Sequence, residues 1–331
     1  MRAFGATYGS KKDRAYPRRT SLGVALASLI AVAACMETAP RPDASRERPI
    51  APPPGVAQNA PSEASQSLAG FYARVQRELL SQGLLRTDGG GPDTPFDADM
   101  ALRNFERIAF YDEYARGGGL RAAANAPGAL RRWEGPVRFA VEFGGTVLPS
   151  RQTSDRQMVA GYVQRLARLT GHPLGMAPAA GANFHVLMVG EDDRSQMLNR
   201  VKSLVPNIDR ASLGLLQAMP RGIHCLVMAF AEGPSDHTYT RAIAVIRAEH
   251  PDLLRLSCVH EELAQGLGLA NDSPAARPSI FNDDDEFALL TTQDELFLRI
   301  LYDDRLAPGM TLSQARPIIY DIAATALGGP S

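Results

Sequence analysis

Apolar residues recur at helical spacing over Leu68–Gly83, where Phe71, Val75, Leu79 and Leu80 share a side, and again over Asp99–Tyr114 with Leu102, Phe105, Ile108 and Ala109. Glycines at 89–91 and 117–119 break the two runs. The pattern then changes period. Val137–Phe143 alternates as a strand does, after Trp133-Glu134-Gly135-Pro136. Gln157–Thr170 returns to helical spacing through Val159, Val163, Leu166 and Leu169. Asn183–Val189, Cys225–Phe230 and Ala242–Ala248 are short apolar or β-branched runs between turn residues and predict strands, and Arg194–Leu204 predicts a helix. Three more helices are expected. One is Pro251–Leu267, with Pro251 in its first turn and Gly268 ending it. The second is Thr292–Tyr302, opened by a capping box over Thr292–Glu295. The third begins near Thr311, with Gln314 three residues on. This order predicts an α+β fold, a small mixed sheet packed on the helix that ends at Gly268, with extra helices at the N-terminal side.

The first 67 residues follow neither period. Lys11, Lys12, Arg14, Arg18 and Arg19 precede an apolar run from Ser21 to Ala34, too short to span a bilayer comfortably, and the run ends in Val32-Ala33-Ala34-Cys35. That ending resembles a bacterial lipobox. The resemblance implies a signal peptide over 1–34, cleavage before Cys35 and acylation there, hence a membrane anchor in the cell envelope facing the periplasm. Met36 after the cysteine resembles outer-membrane sorting. Residues 35–67 carry seven prolines from Met36 on and almost no aliphatic bulk, the composition of a disordered tether. The organisation expected beyond it is a helical part, 68–132, followed by a domain over 133–331.

Cleavage changes the charge balance. It removes Arg2, Lys11, Lys12, Arg14, Arg18, Arg19 and Asp13, leaving 29 basic against 35 acidic residues, with Lys202 the one remaining lysine. Nothing in that balance favours nucleic acid as a partner. With Cys35 acylated, Cys225 and Cys258 remain, either as a disulfide in an oxidising compartment or as two buried thiols.

Candidate chemistry gathers in Cys258-Val259-His260-Glu261-Glu262-Leu263-Ala264-Gln265-Gly266-Leu267-Gly268-Leu269-Ala270-Asn271-Asp272. A zinc helix starting at His260 needs a second histidine at 264, which is Ala. One register later, Glu261, Glu262, Gln265, Gly268 and Asn271 fall at the positions of H-E-x-x-H-x-x-G-x-x-H. Ser279-Ile280-Phe281-Asn282, Leu290-Thr291-Thr292-Gln293-Asp294 and Leu301-Tyr302 then follow in the order of a matrixin's S-I-M turn, L-T-x-x-D segment and L-Y helix end. Over about 133–306 the chain therefore resembles a matrixin-like metzincin, a zincin fold, in degenerate form.

By position, the resemblance places Glu262 in the general-base slot and Glu261, Gln265 and Asn271 in the metal-ligand slots. Phe281 stands where the turn has methionine. A carboxylate and two amides suit zinc poorly, so no zinc or other cofactor is expected. The blocks Asn104–Ala109, Arg132–Val137, His260–Gln265 and Ser279–Asp284 also resemble a family of Gram-negative lipoproteins defined only as a domain of unknown function. That kinship carries no activity.

Other chemistries find no support. No nucleophile elbow makes a triad of Ser257, His260 and Asp272, no glycine loop cradles phosphate, and Asp283–Glu286 lacks the spacing of a calcium loop. Three functions remain open: a pseudoenzyme binding a peptide or envelope component, a divergent hydrolase with Glu262 as base, and a purely structural lipoprotein.

Overall fold

The apolar runs of the sequence become the strands of one sheet, and the amphipathic runs pack against both of its faces. The structure is a computed structural model and describes residues 60–112, 125–233, 236–282 and 284–328. The expected signal peptide 1–34, Cys35, most of the tether 35–67, Gly117–Gly119 and Asp283 lie outside the described residues.

Helix α1 (Glu63–Ser81) begins five residues before the expected Leu68, because the Ser62 side chain accepts from Ser65 N and starts it. Helix α2 (Ala98–Phe110) is capped by Asp97 and stops short of Tyr114 at an extended Tyr111. Then come β1 (Val137–Phe143), α3 (Pro149–Thr170), β2 (Leu174–Met176), β3 (Phe184–Val189) and α4 (Arg194–Leu204). They are followed by α5 (Arg210–Gln217), β4 (Cys225–Phe230), β5 (Arg241–Arg247) and α6 (Asp252–Gln265). The last helices are α7 (Thr292–Leu301) and α8 (Leu312–Ala326).

The strand order is β2-β1-β3-β5-β4, parallel throughout except β4, which pairs antiparallel with β5 and forms an edge. The fold is thus α+β with a mixed sheet. Ala242, Ala244 and Ile246 of β5 face one core with Val259, Leu263 and the α2, α3, α7 and α8 side chains. Ile243 and Val245 face a second core under α4 and α5, with Met197, Val201, Leu215 and Leu216. Burial on both faces is why the inner strands read as unbroken apolar runs.

Four further boundaries differ from expectation. Pro251 is the extended N-cap of α6, and its ring sits just outside the first turn. Gly268 does not end α6; the helix closes at Gly266, two residues earlier. The capping box of α7 is Thr291 with Asp294, one residue before the expected one, since the Thr291 hydroxyl meets Asp294 N. Helix α3 runs eight residues further toward its N-terminus, opened by Pro149.

Candidate functional site

Helix α6 runs beneath β4 and β5 with α3 beside it, so from Arg255 to Gln265 most of its polar residues are buried along with its apolar ones. Its first turn is anchored by Arg255, which is 2% exposed. That guanidinium pairs with Asp155 of α3 at 3.2 Å and Asp252 at 2.6 Å, and donates to His250 O. The far end is closed by aromatic donors. Trp133 Nε1 donates to Gly266 O and the Tyr302 hydroxyl to Leu267 O, which satisfies carbonyls that a helix end leaves over. Gly268 has φ of +134°, and a Cβ there would lie 2.4 Å from Arg131 O. The chain turns at 268 against the Arg131 backbone, a passage only glycine allows.

His260 belongs to the core side of α6. Its ring stacks on Tyr162 at 4.0 Å, and its Nδ1 accepts from Leu290 N at 3.2 Å. Burial, with Arg165 nearby, pushes the imidazole from 6.5 down to about 3. It is a neutral acceptor that ties the segment before α7 to α6.

Glu261 and Glu262 are 1% and 0% exposed. Their carboxylate oxygens and Cys225 Sγ lie within 4.8 Å of one another. Cys225 is bridged to Cys258, with an S–S distance of 2.03 Å, so β4 is stapled to α6 and that sulfur is no thiolate. The group that remains is two carboxylates beside a disulfide.

The other two slot residues part company. Gln265 donates from Nε2 to Asp272 Oδ1 at 3.0 Å, while its buried Oε1 has no hydrogen-bond partner among the described residues. Asn271 faces α2, donating from Nδ2 to Arg107 O and from its backbone N to Ile108 O. It closes the C-terminal end of that helix. Glu261, Glu262 and Gln265 share the spacing of one helical face, and Asn271 is committed elsewhere.

The turn at Ser279–Asn282 is buried throughout, with Phe281 fully enclosed. Asp294 organises it, and this is the residue that reading the chain for ligands missed. Ser279 Oγ, Ile280 N, Thr291 N and Thr291 Oγ1 all donate to its carboxylate at 2.5–2.9 Å. Burial pushes Asp294 up to about 6 against those bonds. The turn in turn holds the loop after α6 through Ser273 N to Phe281 O. The signal for Asp294 was its place in the L-T-x-x-D segment, which is silent about the turn it binds.

Residues 98–321, more than half of the chain, match the family described as "Protein of unknown function (DUF2927)". The chain belongs to that family. No curated protein and no solved structure matches it. The DUF2927 region takes in the whole sheet, the Cys225–Cys258 bridge, α6 and its turn, and leaves α1 outside. Within the DUF2927 domain, then, the polar face of α6 is a set of hard oxygen donors enclosed by the core, with a disulfide at its side.

Proposed function

We propose that this DUF2927 chain is a cell-envelope lipoprotein whose metzincin-like domain binds an extended peptide or envelope component without cutting it. The lipid attachment rests on Val32-Ala33-Ala34-Cys35. The metzincin-like reading is supported by a parallel sheet with one antiparallel edge strand, a helix beneath it carrying Glu261, Glu262 and Gln265 of the five signature positions, and a buried turn after it.

The observation that carries the non-catalytic reading is the fate of the three ligand slots. Asn271 is used by α2, Gln265 bonds Asp272, and Glu261 stands beside a sulfur already in a bridge. Zinc prefers imidazole and thiolate, and this set offers it neither. Among the described residues strand β4 pairs on one side only, so its other edge suits an added peptide strand.

The test is an incubation of the purified chain with a broad peptide library, together with metal analysis and an Glu262→Ala control. Peptides retained intact by both proteins support the reading. Stoichiometric zinc, or cleavage that disappears in Glu262→Ala, overturns it in favour of a hydrolase. Retention of no peptide leaves the structural lipoprotein as the surviving reading.

A further inference from the structure

A cavity of about 430 Å³ lies between α2 and the segment that follows Asp272. Its α2 wall carries Arg103, Asn104 and Arg107, and its other wall Ser273 and Pro274. Arg103 and Arg107 are one turn apart, so both guanidiniums stand on the same side of the helix. Among the described residues no carboxylate pairs with either. Of the nearby acids, Glu106 binds Arg316 at 2.6 Å and Asp97 caps α2, while Asp99, one turn before Arg103, is exposed and does not line the cavity.

Arg107 is also held in place. It lies over the Tyr111 ring at 4.3 Å and donates to Asn125 Oδ1 at 2.6 Å, a neutral acceptor. The two walls are tied together by Asn271 Nδ2 to Arg107 O, and Asn104 Nδ2 is fixed by Gln293 Oε1 at 3.0 Å. The opposite wall is pinned by Ser273 N to Phe281 O at 2.8 Å. The cavity is therefore preformed, of a size that takes a small ligand, with two guanidiniums that no described carboxylate pairs on one wall and proline on the other.

We propose that this cavity binds the oxyanion of an acidic ligand, a carboxylate or a phosphate, between Arg103 and Arg107. Guanidinium matches both groups in shape and charge, and two forks one turn apart can share one anion. The remainder of the ligand packs along Ser273 and Pro274. This site stands apart from the Glu261–Glu262 pair and does not rest on the peptide-binding reading.

Calorimetric titration of the full chain with inorganic phosphate and, separately, with citrate tests it. One-to-one binding of at least one probe is expected. Arg103→Gln and Arg107→Gln should each weaken it about tenfold or more, the loss of one charge-assisted hydrogen bond. Arg210→Gln, an exposed arginine on α5, should leave it unchanged. Arg103 makes no described side-chain bond that its replacement would break, so that variant keeps the test readable if Arg107→Gln folds poorly. Phosphate alone or citrate alone identifies which source fits. Binding of neither probe, or equal weakening by Arg210→Gln, overturns the proposal.

Discussion

Asp294 allows a quantitative test of how the turn after α6 is held. In Asp294→Ala the backbone N–H groups of Ile280 and Thr291 lose the carboxylate they donate to, and both are buried. Each orphaned donor costs about 1–3 kcal/mol, and the lost cap on α7 about 1 kcal/mol more. The expected total is about 5 kcal/mol. Asp294→Asn is different. Its Oδ1 can take the place of the carboxylate oxygen that meets Ile280 N, Thr291 N and Thr291 Oγ1. Its Nδ2 can then donate to Ser279 Oγ, which has a lone pair to spare after accepting from Phe281 N. That variant should lose about 1 kcal/mol or less at pH 7.

The pH dependence separates charge from geometry. Asp294 ionises near 6 in the folded chain and near 3.8 in the unfolded one. Below 3.8 both states hold the proton, and above 6 neither does. Between the two only the folded state holds it, so wild-type stability falls as pH rises through this window. About two pH units correspond to about 3 kcal/mol. Asp294→Asn has no proton to lose, so wild type minus Asp294→Asn should drop by about 3 kcal/mol from pH 4 to pH 6.5 and then level. Urea unfolding of the three proteins at pH 4, 5, 6 and 7 measures it. A difference flat in pH refutes the buried-acid reasoning, and Asp294→Ala matching Asp294→Asn refutes the hydrogen-bond reasoning.

Two further tests address α6. Replacing both Cys225 and Cys258 by serine opens a loop with a sequence separation of 33, and the chain-entropy relation puts the loss near 4 kcal/mol; urea unfolding that leaves the midpoint unmoved refutes a staple between β4 and α6. His260 should stay neutral well below its ordinary range, since burial pushes it to about 3 against 6.5 in the unfolded chain. Its contribution is complete above 6.5 and is lost as pH falls toward 3, about 5 kcal/mol in all. The assigned ring resonances should not shift between pH 7.5 and 5, and a midpoint near 6.5 refutes its placement against Tyr162.

Much of the fold was legible because buried strands write themselves as apolar runs: β3, β4 and β5 fall within a residue of expectation, as does β1, read from its alternation. What escaped lacked that signature. Helix α5, Arg210–Gln217, is short and interrupted by Gly214, and β2 has three residues. The first turns of α3, Ser150 to Arg156, show no apolar stripe and continue on the strength of Pro149. At the site, spacing placed Glu261, Glu262 and Gln265 on one helical face, and helix geometry set His260 apart from it. Spacing put Asn271 in a ligand slot and could not show that its side chain bonds Arg107 O of α2, 164 residues away along the chain. The Arg103–Arg107 cavity was equally hidden, because its second wall comes from Ser273 and Pro274.

The domain buries two kinds of carboxylate, and the difference between them bears on function. Asp294 is accounted for by structure: four donors converge on it and lock a turn to a helix. Glu261 and Glu262 sit side by side on a helix whose neighbours include β4, β5 and α3. A helix needed only to support that sheet would be served as well by aliphatic residues, since exchanging buried charged groups for apolar ones of like volume is often neutral or stabilising. Departures of this sort from the pattern of a packed core concentrate where a protein binds or reacts. The polar face of α6 is enclosed, with Glu261 and Glu262 1% and 0% exposed, so Glu262 is the first side chain to change in testing whether the pair serves recognition or packing.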